Sequence, residues 1–160
     1  MKKILNLLSI MVIATAISCG GSDKKKEASS YGKKAPEKTE KKVPATERIE
    51  LSNKGVGPIT SITLDEEIDQ DLVATGMEVY NKMCTACHKV DKKFIGPPPT
   101  GILKKRTPEW VMNMILNPEV MVKEDPLAKD LLMEFNGAPM ANQGLSEEDA
   151  RAVLEYFRTL

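Results

Sequence analysis

Cys84-Thr85-Ala86-Cys87-His88 is the stretch on which the reading of this chain turns. The C-x-x-C-H order reads as covalent attachment of a c-type haem. Two thiols one helical turn apart add across the porphyrin vinyl groups, and the adjacent His88 is placed under the ring to ligate iron. His88 is the only histidine of the chain, so the chemistry concentrates here. A zinc site wants four N, S or carboxylate ligands. Only three cysteines are present, one of them distant at Cys19, and there is no second histidine. A thioredoxin-like redox pair sits at the start of a helix after a strand, whereas this motif follows a long helical pattern.

The 160 residues allow one ordinary domain plus extensions, and their charge is unevenly laid out. Residues 1–64 carry 12 basic and 6 acidic side chains, and residues 65–160 carry 11 and 17, so the overall neutrality hides a basic front and an acidic back. Residues 1–18 read as a signal peptide, with Lys2 and Lys3 ahead of an apolar run from Ile4 to Ile17. That run is shorter than the roughly 20 apolar residues of a membrane-spanning helix. The sequence Ser18-Cys19 at its end resembles a bacterial lipoprotein signal, in which Cys19 becomes the lipidated N-terminus; Ala16 departs from that pattern, which favours Leu. The alternative is an ordinary cleaved signal with an incidental cysteine, and both imply export.

Residues 19–48 are dominated by Lys, Glu, Ser, Ala, Pro and Thr, with Tyr31 and Val43 the only large apolar side chains between Gly20 and Arg48. Such a composition does not offset its chain entropy, so a disordered, lipid-anchored linker is expected, dispensable for haem incorporation. About thirty such residues would span roughly 30 Å. Three Phe, three Tyr and one Trp without basic-aromatic interleaving argue against a nucleic-acid role for the lysines. In residues 49–64, Ile49, Leu51, Val56, Ile59, Ile62 and Leu64 alternate with Gly55, Gly57 and Pro58, which predicts an extended or looped N-terminal flap on the domain surface.

Asp65-Glu66-Glu67 is expected to open the first helix, since acidic residues suit its dipole. Ile68, Leu72, Gly76, Val79, Tyr80 and Met83 follow at helical spacing, and Gly76, Tyr80 and Cys84 stack on one face. With these residues the chain resembles the class I monohaem cytochromes c over residues 65–160. The resemblance implies that Gly76 lets the C-terminal helix cross closely and that Tyr80 packs in the joint. Gly96-Pro97 stands where small bacterial cytochromes c have a Gly-Pro. By that resemblance the Pro97 carbonyl accepts a hydrogen bond from His88 Nδ1 and frees Nε2 for iron.

Thr107-Pro108-Glu109 is a helix start, which Asn117-Pro118 ends. Arg106 and Trp110 are candidates to reach a haem propionate; the alternatives are a surface charge and ordinary core. A third helix is expected over 126–135, and Ser146 caps a last one with Ala152, Val153, Tyr156, Phe157 and Leu160 as its buried stripe. The family keeps its second axial ligand on a loop before this helix, which implies Met140. Met121, expected in a loop after Pro118, is the rival. No proline follows Met140, where many relatives have one.

The resemblance thus implies an all-α cytochrome c fold of about four helices around one covalent haem c and its iron. It implies one-electron transfer with His88/Met140 ligation in a cell-envelope respiratory chain, without enzymatic activity. Redox partner proteins are implied by class: a quinol-oxidising complex upstream and a terminal reductase or oxidase downstream, with membrane contact through the Cys19 anchor. The alternative is a haem enzyme or gas-sensing module with a displaceable sixth ligand. A structural lipoprotein with a chance motif is the third reading.

Overall fold

A computed structural model describes residues 43–160. The expected signal peptide, Cys19 and the linker up to residue 42 lie outside the described residues. Five helices follow one another: α1 (Gln70–Met83), α2 (Pro108–Leu116), α3 (Pro118–Glu124), α4 (Pro126–Glu134) and α5 (Glu147–Phe157). A single 3-10 turn, Ile102–Lys104, precedes α2. Among the described residues there is no strand, only one parallel bridge between Glu50 and Arg106. The all-α expectation holds.

The frame is the crossing of α1 and α5. Gly76 is what permits it: a Cβ there would overlap the main-chain carbonyl of Ala152. Tyr80, 1% exposed, fills the joint, its ring centroid 5.5 Å from that of Tyr156 and 5.8 Å from Phe157, the latter edge-on. Helix α1 begins five residues later than Asp65. Asp69 is its N-cap, accepting from the backbone N–H of Asp71 and Leu72. The carbonyls of Asp65, Glu66 and Glu67 instead receive the guanidinium of Arg158, so this acidic run ties down the end of α5.

Helices α2 and α5 start as their caps dictate, with Thr107 accepting from Trp110 N–H and Ser146 from Asp149 N–H. The fifth helix was not expected. Asn117-Pro118 does end α2, but Pro118 also occupies the first turn of α3, where a proline loses no hydrogen bond. Met121 is therefore helical and fully buried, not in a loop.

Residues 44–64 form a strap across α2, α3 and α4. Val56, Ile59, Ile62 and Leu64 pack on the core, as expected of a flap, while Ile49 and Leu51 stay exposed. The expected linker boundary at 48 is corrected: Ala45 is 5% exposed, Thr46 bonds the Glu134 carboxylate through both N–H and hydroxyl, and Arg48 pairs with Asp130 at 2.6 Å. Buried polar side chains hold the strap where apolar ones are scarce. Asn113 clasps it through Ile59 N–H and the carbonyls of Lys54 and Ile59. Thr107 donates to Asn53 O at 2.6 Å, and the carboxylate of Asp125 joins Asn53 to Trp110 Nε1.

Candidate haem site

The attachment motif forms the turn that leaves α1. Cys87 N–H and His88 N–H both donate to Cys84 O, at 3.0 and 2.8 Å, which brings the two thiols and the imidazole to one wall of a cleft. Gly96 N–H donates back to Cys87 O at 2.9 Å, and the Tyr80 hydroxyl donates to His88 O at 3.1 Å, so the turn is gripped from both sides. His88 Nδ1 lies 2.8 Å from Pro97 O. The carbonyl accepts only if Nδ1 carries the proton, which leaves Nε2 with a free lone pair. The backbone of Gly96 runs against the ring so closely that a Cβ there would overlap Cε1. Gly96 and Pro97 O thus both border the His88 ring, the contact expected of the Gly-Pro pair.

The cleft runs between α1, the proline loop, α2, α4 and α5. Its walls are mainly apolar, among them Ile95, Val111, Ile115, Leu131, Phe135 and Val153, with Thr46, Thr100, Lys105, Arg106 and Gln143 as further polar lining. Cys84, Cys87, His88, Pro97, Arg106, Trp110 and Met140, the candidate site residues that fall within the described chain, all line it. Burial, with Cys87 adding to it, pushes the Cys84 thiol up to about 11. A thiol activated for redox exchange is tuned the other way. Among the described residues no three His, Cys, Asp or Glu side chains gather into a metal cluster. The donor set therefore fits a haem held by thioethers and one imidazole, and does not fit zinc.

Met140 lies on the loop between α4 and α5, on the cleft. Met121 does not line the cleft; its Sδ accepts the Val56 N–H at 3.0 Å, beneath the strap. Met83 and Met114 also reach the cleft, from α1 and α2. Arg106 and Trp110, the candidates for a propionate contact, both border the cleft, and part of their donor capacity is spent on the protein itself. Trp110 Nε1 donates to Asp125 at 3.2 Å, and Arg106 donates to the carbonyls of Ala45, Arg48 and Lys105. Arg106 is 3% exposed and is no surface charge, and its guanidinium stacks 5.5 Å over the Trp110 ring. Thr46 also lines the cleft. Nothing in its polar neighbourhood marks it in the sequence.

The family model for cytochrome c matches residues 73–160. Among solved structures the chain is similar to cytochrome c from Rhodothermus marinus, at 40% identity and a TM-score of 0.63, over 72% of this chain and 92% of that one. It is similar in the same measure, at 40% identity and a TM-score of 0.60 over 72% and 93%, to an engineered form of that cytochrome, Rma TDE, bound to a carbene intermediate, 1-ethoxy-1-oxopropan-2-ylidene. No curated protein matches the chain.

Proposed function

The chain belongs to the cytochrome c family, whose cofactor is covalent haem c with its iron, and we propose on that premise a class I, His88/Met140-ligated electron carrier of the cell envelope. Haem c, when bound, takes up or releases one electron at its iron. The protein's part is to hold that iron closed and fixed in geometry. Cys84 and Cys87 anchor the ring, the Pro97 carbonyl keeps His88 in the tautomer that offers Nε2, and apolar walls exclude water. The observation that carries the reading is the division of labour between two methionines: Met140 stands on the cleft with His88, and Met121 spends its sulfur on Val56 N–H. With Met140 on the iron the sixth position would be filled and no site left open for a substrate, as the carrier reading requires.

The setting is part of the same proposal. The signal-like residues 1–18 and Ser18-Cys19 support an exported lipoprotein tethered to a membrane by Cys19, at work in a respiratory chain. Among the described residues no helix is long and apolar enough to cross a membrane; the proposed contact with the membrane is the lipid on Cys19. Cytochrome c domains interact with redox partner proteins; the proposed ones are a quinol-oxidising complex upstream and a terminal reductase or oxidase downstream. The test is carbon monoxide added to the ferrous protein. A closed His/Met site leaves the spectrum unchanged, while a carbonyl spectrum at neutral pH marks an open or displaceable sixth position and favours the sensor.

A further inference from the structure

The loop that carries Met140 is hydrogen-bonded to the rest of the fold at one point. Pro139 brings no N–H, and among the described residues no backbone-to-backbone hydrogen bond leaves residues 139–145. Gln143 Nε2 donates to Ala141 O, inside the loop. Asn142, two residues beyond Met140, is the exception. Its Oδ1 accepts the N–H of Gly144 at 2.8 Å, which supports the left-handed turn there (φ 65°). Its Nδ2 donates outward, to Leu116 O at 3.3 Å. Leu116 is the last residue of α2, and an α-helix leaves its last four carbonyls without a partner of their own. Asn142 therefore closes the loop onto the end of the helix whose Val111, Met114 and Ile115 line the cleft. Met140 and Leu145 add apolar contact with the core, but such contact is non-directional and does not fix where a sulfur points.

We propose that Asn142 is a positioning residue for the sixth iron position: its bond to Leu116 O holds Met140 on the cleft and sets how often the thioether leaves. Asn142 lines no part of the cleft itself and acts through Met140. It is exposed, so water competes for its bond, and the bond contributes what one ordinary hydrogen bond does. A competing ligand reaches the iron only while the loop is open. Its apparent affinity therefore rises in proportion to the open fraction, and loss of the latch raises that fraction.

The inference rests on the His88/Met140 reading above, and two readouts keep them apart: the Met–iron charge-transfer band of the parent reports the ligation, and affinity for imidazole reports the latch. The full mature holoprotein in its ferric form is titrated with imidazole and followed at that band. Asn142→Asp and Asn142→Ser both keep an acceptor for Gly144 N–H, and neither donates to Leu116 O, the first for want of a proton and the second for want of reach. Both are expected to show the band before imidazole is added and to bind imidazole about three- to tenfold more tightly than the parent. A band already lost without imidazole, with haem still attached, is the same result carried further. The serine variant, which adds no charge, decides. Parent affinity there, even with a lowered thermal midpoint, reduces Asn142 to a turn residue and overturns the proposal, whatever the aspartate does. A parent that lacks the band overturns the ligation reading first, and the latch with it.

Discussion

His88 Nδ1 and Pro97 O stand 2.8 Å apart, with Gly96 packed so close to the ring that a Cβ there would overlap Cε1 and Nδ1. Any side chain at position 96 must push the imidazole off this hydrogen bond. Gly96→Ala is therefore expected to destabilise the haem-loaded protein by roughly 1–3 kcal/mol, the usual cost of overpacking. Thermal unfolding followed at the haem absorbance checks it, and an unchanged midpoint would show that the loop yields freely.

The strap alters what truncation should do. From composition, residues up to 48 read as dispensable, yet a chain beginning at Ile49 loses the carbonyls of Ala45 and Arg48 and leaves the buried Arg106 with donors unpaired. Its thermal stability is expected to fall by at least about 1–3 kcal/mol. A chain beginning at Val43 should unfold like the mature protein. Equal midpoints for the two would mean that the strap contributes nothing.

Two kinds of information separate what the sequence made legible from what it did not. The attachment motif, Gly76, Tyr80 and Gly96-Pro97 work through fixed short spacings or a single helical face, so their pattern survives in one dimension. Arg106 to Ala45, Asn113 to Ile59 and Thr107 to Asn53 bridge more than fifty residues through side chain-to-main chain bonds, which leave no periodic trace. Helix α3 is too short to display a period, and Pro118 reads equally well as a stop and as a first turn. Asp65-Glu66-Glu67 reads as a helix start because local charge suits one, but Arg158, 93 residues from Asp65, claims the backbone there.

Glu155 should make stability depend on acid. Burial pushes its carboxyl pKa up, but hydrogen bonds from Arg151 and Asp69 N–H and the charges of Arg151 and Arg158 outweigh this and hold it below the usual carboxylate range. A pKa lower in the folded than in the unfolded chain stabilises above the unfolded value, about 4.3, and that contribution is lost as pH falls below it. Glu155→Gln is expected to lower the thermal midpoint at pH 7 and to flatten its decline below about pH 4.5. A variant with the parent's acid slope would place that dependence on other groups.

Partner docking is expected on the cleft rim, on positive charge that the acidic domain as a whole lacks. Lys92, Lys93 and Lys104 are exposed, Lys92 and Lys93 just ahead of exposed Phe94 and Ile95 in the chain, and Ile95 reaches the cleft. Lys105 is instead bonded to Thr46 O. Triple substitution of 92, 93 and 104 by Glu should slow transfer to an acidic partner and reverse its dependence on ionic strength. Unchanged rates and slopes would move docking elsewhere.

The far-red absorption of the ferric protein, compared between Met140→Ala and Met121→Ala, tests His88/Met140 ligation most directly. Met140→Ala is expected to abolish the Met–iron charge-transfer band. Met121→Ala should retain it while losing roughly 2–5 kcal/mol of stability, because it empties a fully buried core position. A band that survives in Met140→Ala, or vanishes in Met121→Ala, would contradict Met140 as the axial ligand.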